Sequence, residues 1–364
     1  MSFNTANPFT ARARRCAART AVGSLVVVGA LAGVATTAAA APQPGGAQAH
    51  RADATTVVAA SLSPNVRRAG LRASPASAAV AYWTPERMRQ AVPVAEPKLA
   101  AAPRGAAAVR RAPSGPAGST AAAAALTRKA LSRAPAAAAP GLAALTVNAS
   151  ATVGRVFFYN PADGLNHSCS GSALNSASKR LVITAAHCVH GGPGASYMQN
   201  WVFVPRYNNG ARPFGTFSAR TFRTFNAWTG SRSRDHDIAM VTTWNNEFGQ
   251  TLVNTVGGNG LSWNYSRDIF LTILAYPADP PYTGTWQQYC QGTTRRVGFF
   301  DGRIEMRCGF TGGSSGGPWL RAYSNTSALG YVNGVMSTLA SDGWNRSSYF
   351  DDKVKTMFDA TVND

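Results

Sequence analysis

Acidic residues are scarce in this 364-residue chain: 16 Asp and Glu stand against 35 Lys and Arg, for a formal net charge of +19. Long hydrophobic runs are lacking too. The apolar stretch from Ala21 to Val34 covers 14 residues, whereas a membrane span needs about 20, so a transmembrane helix is excluded there. Cysteine is sparse, at five, and so is histidine: His50, His167, His187, His190 and His236 are all there are, and none lies beyond position 236. Any chemistry that needs an imidazole late in the chain is thereby ruled out.

The charge excess is not spread evenly. Residues 1–145 hold 17 Lys/Arg and 3 Asp/Glu, whereas residues 146–364 hold 18 and 13. Most of the basic surplus therefore belongs to the N-terminal part, outside the segment able to build a core. Nucleic-acid binding would place the positive footprint on the folded domain, so no nucleic-acid partner is expected.

Within the first 41 residues, Arg12, Arg14, Arg15 and Arg19 precede the apolar run, and small residues follow to Ala38–Ala41. This is the layout of a secretory signal peptide over 1–41, and it predicts a secreted, extracellular protein with no stable membrane association. The Arg14–Arg15 pair leaves a twin-arginine route open. Residues 42–145 are rich in Ala, Pro, Ser and Arg and poor in aromatics, a composition that disfavours a core of their own. This leader is expected to be a largely disordered pro-segment. One island departs from it: "VAYWTPERMRQAVPV", Val80 to Val94, carries Tyr82, Trp83 and Met88. Thr84 suits a helix N-cap and Pro85 a first turn, so the island is either a chance apolar patch or an element that docks on the domain downstream.

Residues 146–364 are long enough for a buried core in one or two subdomains. Cys169, Cys188, Cys290 and Cys308 lie in this part, an even number in a chain read as exported. That count suggests two disulfides. Three pairings are possible; the sequence neighbours, Cys169 with Cys188 and Cys290 with Cys308, are favoured, each closing a loop worth about 3 kcal/mol. A metal site at His187, Cys188 and His190 is disfavoured, because adjacent ligands rarely converge on one ion. No metal and no cofactor are expected.

Strand formers dominate "VGRVFFY" (153–159), "RLVIT" (180–184), "WVFVPRY" (201–207), "IAMVTT" (238–243), "IFLTILAY" (269–276) and "ALGYVNGVMS" (328–337), with Gly, Asn and Pro clusters between them. The spacing predicts an all-β antiparallel sandwich or barrel. Phe350, Val354, Met357 and Phe358 follow a helical period and predict one face of a closing helix.

"TGGSSGGPWL", Thr311 to Leu320, packs four glycines around two serines. Gly313, Ser315 and Gly317 fit the G-x-S-x-G nucleophile elbow, but that hydrolase fold orders its triad Ser, acid, His, and no histidine follows Ser315. A subtilisin-like order would need Asp163, whose "PADGLN" setting reads as a turn. The remaining order is His, Asp, Ser. "LVITAAHCVH" around His187, "DHDIAMV" around Asp237 and "GGSSGGP" together resemble the three sequence blocks of chymotrypsin-like serine proteases. "HSCSGSAL", His167 to Leu174, is similar to the strand that carries the first cysteine of a disulfide in that family. The resemblance runs from about Val153 to the C-terminus and looks closest to bacterial secreted enzymes of the glutamyl-endopeptidase type and their actinobacterial relatives.

The resemblance implies two antiparallel six-stranded β-barrels, with a C-terminal helix, over a domain spanning 146–364. It implies a secreted serine endopeptidase that works through an acyl-enzyme on polypeptide substrates, expected to be a monomer. Ser315 matches the nucleophile, His187 the general base and Asp237 the acid; Asp235 is the rival acid, and His236 between them is expected to face solvent. The backbone N–H groups of Gly313 and Ser315 match the oxyanion hole. Ser314 stands where animal digestive relatives carry the aspartate of their activation switch, so an inhibitory leader would act by covering or shaping the site. Gly309 stands at the pocket base, which disfavours Arg/Lys preference; Met336 replaces the histidine of glutamyl endopeptidases. Gly309, Met336, Ser337 and Thr338 make the expected specificity pocket, suited to an uncharged side chain. Two rivals remain, a catalytically inactive protease-like binding protein and a secreted esterase.

Overall fold

The computed structural model describes residues 53–69, 73–94, 115–126, 137–138, 147–298, 301–340 and 342–364. The expected signal peptide, 1–41, lies outside the described residues. Among the described residues, four short strands precede residue 146: β1 (Thr55–Ala59), β2 (Val92–Pro93), β3 (Gly118–Ser119) and β4 (Ala137–Ala138). Three helices lie among them, α1 (Pro64–Ala69), α2 (Pro75–Tyr82) and α3 (Pro85–Gln90).

The next six strands are β5 (Val153–Asn160), β6 (Leu165–Leu174), β7 (Leu181–Thr184), β8 (Gln199–Pro205), β9 (Phe217–Phe225) and β10 (Ala239–Thr243). They pair in the order β9, β10, β7, β6, β5, β8, and β8 returns to β9, which closes a six-stranded antiparallel barrel. Closure pairs each of these strands on both sides, although β8 covers only part of β9. Side chains alternate across a strand, so in β5 Val156 and Phe158 fill the barrel interior while Val153 and Phe157 face outward into a second apolar cluster. That second cluster joins the barrel to the rest of the chain. It also takes up Trp83 and Met88 from the leader island, both buried.

The second half comprises β11 (Gly260–Trp263), β12 (Phe270–Ala275), β13 (Gln288–Thr293), β14 (Arg295–Arg296), β15 (Ile304–Arg307), β16 (Pro318–Ser324), β17 (Leu329–Val335), β18 (Thr338–Leu339) and β19 (Trp344–Ser347). Hydrogen bonding divides it into a sheet β11–β17–β16–β12–β13, extended by β3 and β4, and a sheet β14–β15–β19–β18. Both sheets wrap one core containing Leu271, Ile273, Ile304, Met306 and Trp319. Three more helices are α4 (Asn226–Ser231), α5 (Leu252–Val256) and α6 (Asp352–Asp359). The architecture is all-β with a closing helix: a closed six-stranded barrel followed by two sheets wrapped around one core.

Helix α6 begins one residue after Asp351, whose carboxylate accepts from the Lys353 N–H at its N-cap. Val354, Met357 and Phe358 bury as the periodicity predicts, while Phe350 lies ahead of the helix and is buried from there. Thr84 caps α3 by accepting from the Arg87 N–H, with Pro85 in the first turn. Burying Met88 fully contributes about 1.5–3 kcal/mol; the leader island is thus packed against the barrel rather than left as a chance patch.

Candidate active site

His187 lies on a single 3-10 turn, Ala186–Cys188, directly after β7. Asp237 follows a second such turn, Arg234–His236, directly before β10. Since β7 and β10 are neighbours, with Thr184 opposite Ala239, the sheet brings the two side chains together. The Asp237 carboxylate accepts from the His187 backbone N–H at 3.0 Å through Oδ1, and its Oδ2 lies 2.8 Å from His187 Nδ1. Ser337 Oγ donates to the same Oδ2 at 2.6 Å.

Asp237 is fully buried. Burial acts to raise its pKa, but the charge of His187, hydrogen bonds from the His187 ring and the Ser337 hydroxyl, and the His187 amide outweigh it, and the carboxyl lies below the ordinary value. A carboxylate so held keeps the Nδ1 proton on His187 and turns Nε2 away from the acid. Trp228, also buried, borders the imidazole with ring centroids 6.2 Å apart.

Asp235, the rival acid, is elsewhere. Burial and the neighbouring charge of Asp301 raise its carboxyl. His236 departs from expectation: rather than facing solvent, it is mostly covered, lies between Ser233 Oγ and Asp53 Oδ1 at 2.8 Å each, and packs edge-on against Phe225. A residue of the leader covers it, which the sequence downstream of 146 does not reveal.

Ser315 sits in the glycine loop between the two halves. Its carbonyl accepts from the Ser170 N–H at 2.7 Å and lies 3.7 Å from Cys188 Sγ, one residue from His187. Gly316 has φ +81°, and a Cβ there would lie 2.0 Å from Thr184 Oγ1, so only glycine allows this approach to β7. Gly313 has φ +83°, with a Cβ clash of 2.8 Å against the Tyr276 carbonyl. Ser314 turns back on its own loop, its Oγ donating to the Thr311 carbonyl at 2.6 Å.

Two residues that sequence reasoning missed hold this loop. Asp279 Oδ2 accepts from the Gly312 N–H at 2.9 Å, and the Asp279 carbonyl accepts from Thr311 Oγ1 at 3.0 Å. Ser170 Oγ donates to the Gly313 carbonyl at 2.9 Å and accepts from the Tyr276 N–H at 2.9 Å. A polar residue beside the strand cysteine was the available signal for Ser170; nothing in "PADPP" announced Asp279.

The residues expected in the pocket separate. Met336 is wholly buried in the second core, and its N–H donates to the Gly317 carbonyl. Ser337 is spent on Asp237. Thr338 Oγ1 accepts from Arg303 Nη1 at 3.0 Å, and Gly309 takes φ +63° with open space beside its Cα. Disulfides join Cys169 to Cys188 and Cys290 to Cys308. Cys169, His187 and Cys188 offer ligand atoms within 4.8 Å of one another, but both sulfurs are consumed in the disulfide and supply no thiolate for a metal. His190 stands apart, its Nδ1 accepting from the Gly192 N–H; burial lowers its pKa.

No protein-family model matches the chain, and no curated protein does. Solved structures do. The protease Anisep from Arthrobacter nicotinovorans is 31% identical with a TM-score of 0.54, the match covering 59% of this chain and 97% of that one. A thermostable serine protease, AL20, from an extremophilic microorganism is 27% identical with a TM-score of 0.54, over 58% and 97%. A glutamyl endopeptidase aligns at 18% identity with a TM-score of 0.49, over 60% and 93%, too distant to bear on cleavage preference. With the closed barrel, the buried His187–Asp237 pair and the glycine-walled serine, the first two likenesses lead to one conclusion: the chain belongs to the chymotrypsin-like serine protease family.

Proposed function

We propose that the protein is a secreted serine endopeptidase that hydrolyses peptide bonds through an acyl-enzyme. The observation that carries this reading is the buried Asp237 carboxylate gripping both the amide and Nδ1 of His187. Ser315 Oγ attacks the scissile carbonyl carbon while His187 Nε2 takes its proton. The Gly313 and Ser315 amides stabilise the oxyanion, and His187 passes the proton to the departing amine. Water, deprotonated by the same imidazole, then releases the acid product. No cofactor enters.

In this reading 1–41 is a signal peptide, 42–145 a pro-segment and 146–364 the protease domain, acting as a monomer. The two disulfides fit an oxidising, extracellular setting. Among the described residues no helix is long and apolar enough to cross a membrane. Of the four residues expected to form the specificity pocket, Gly309 alone has open space beside it, which fits an uncharged preference.

A fluorophosphonate probe tests the reading. Labelling that vanishes in Ser315→Ala, with hydrolysis of a peptide library by the parent, is the expected result; an unlabelled parent would favour a binding protein. Turnover of esters without peptides would favour an esterase.

A further inference from the structure

The described residues 53–69 and 73–94 lie along the first barrel and end on the amide that the proposed chemistry requires. β1 lies antiparallel along the part of β9 that β8 leaves free, from Thr55 opposite Phe225 to Ala59 opposite Thr221. Asn200 then clasps the chain: its N–H donates to the Ser61 carbonyl and its Oδ1 accepts from the Ser63 N–H, at 3.0 and 2.8 Å. Helices α2 and α3 bring in Trp83, whose Nε1 donates to the Asn200 carbonyl and whose ring lies 5.4 Å from Phe157.

β2 follows, parallel to β6, with Val92 opposite His167 and Pro93 opposite Ser168. The Val94 N–H donates to the Ser168 carbonyl at 3.0 Å, and the Val94 carbonyl accepts from the Gly313 N–H at 3.0 Å. A Cβ at Gly312 would stand 3.2 Å from that same oxygen, so the segment presses on the glycine loop itself.

An amide carries one hydrogen, and one strong acceptor satisfies it. While Val94 holds the Gly313 N–H, no substrate carbonyl can use it. We propose that residues 53–94 form a tethered inhibitor whose Val94 carbonyl occupies the oxyanion position and competes with substrate for it. The proposal rests on the reading of Gly313 and Ser315 given above. Its anchors, β1, Asn200 and Trp83, all lie away from the reacting atoms, so cutting the chain beyond Val94 does not by itself clear the site. Inhibition outlasts the cut until the freed segment dissociates, and tethering beforehand raises its effective concentration.

The test uses the full chain with Ser315 intact. It is incubated with a fluorophosphonate probe, and label is resolved by chain length over time. Full-length chains are expected to label on the order of 100-fold more slowly than processed ones from which the segment has been removed, the lower end of what tethering adds. Trp83→Ala should raise labelling of full-length chains. Should that variant not fold, a synthetic peptide of residues 53–96 added to processed enzyme should raise KM for a peptide substrate and stay intact. Equal labelling of full-length chains and of processed chains from which the segment has been removed would overturn the inhibitor while leaving the Ser315 reading standing. So would a peptide that fails to inhibit or is cut after Val94. No labelling of either species rejects the nucleophile itself, and the proposal with it.

Discussion

The two halves of the molecule solve the same packing problem differently. The first closes its six strands on themselves and carries both His187 and Asp237 at the ends of adjacent strands. The second splits its strands between two sheets around one core and carries Ser315 on a loop. Their buried cations differ in the same sense. Arg155, in the first half, is met by neutral groups, the Gly284 carbonyl and Ser168 Oγ. Arg346, in the second, pairs with buried Glu305, which Arg295 also reaches. The closed barrel brings its two side chains together through its ladder, with Ser337 of the other half bound to the acid, whereas the loop of the divided half is held by side-chain ties such as Asp279.

Breaking the acid of the first half should have the largest effect. Asp237→Asn is expected to lower kcat about ten-thousand-fold by misorienting His187; near-normal turnover would move the role to another acid. Its stability contribution has a definite sign. Because the folded carboxyl is depressed, that stability is complete above the unfolded value of about 4 and is lost as pH falls through the folded one. Acid unfolding of Asp237→Asn should therefore lack part of the parent's steep loss below pH about 4.

Glu305→Gln tests the charge pairing of the second half. Removing one member of a buried pair costs about 3–5 kcal/mol, read from chemical denaturation; a loss under about 1 kcal/mol, the scale of exposed pairs, would remove the contrast between the halves. Asp279→Ala loosens the loop without deleting an amide donor. It should reduce kcat by less than the about 100-fold that losing a whole oxyanion donor costs, with the denaturation midpoint little changed. A drop that appears only in KM would argue against loop positioning.

The smallest effect is expected at Asp235. Its carboxyl is raised by burial and by Asp301, so its stabilising contribution is complete below the unfolded value of about 4 and falls as pH rises through the folded one. Asp235→Asn should gain stability relative to the parent at pH 7 and lose that gain in acid, as thermal melts at both pH values would record.

Much of this was legible beforehand, for identifiable reasons. Strands β5, β7, β8, β10, β12 and β17 carry continuous runs of strand formers, and both disulfides join sequence neighbours. β9 escaped notice because Arg220 and Arg223 alternate with its buried phenylalanines, a pattern that reads as polar. At the site, His187 and Asp237 sit in motifs, but Ser337 was assigned to the pocket, and its hydroxyl lies on Asp237. Hydrogen bonds spanning 100 residues have no local signature. The covering of His236 by Asp53 was hidden likewise, since the leader composition gave no sign of docking outside Val80–Val94.

Ser170 is a surveyor's mark shared by both halves. It belongs to a strand of the closed barrel, yet its backbone and hydroxyl together touch the Ser315 carbonyl, the Gly313 carbonyl and the Tyr276 amide of the other half. In the proposed chemistry, this short seam, together with the core the halves share, sets how the imidazole meets the nucleophile. In the proposed chemistry, a slight shift along this seam would separate the acid–base pair from the serine loop.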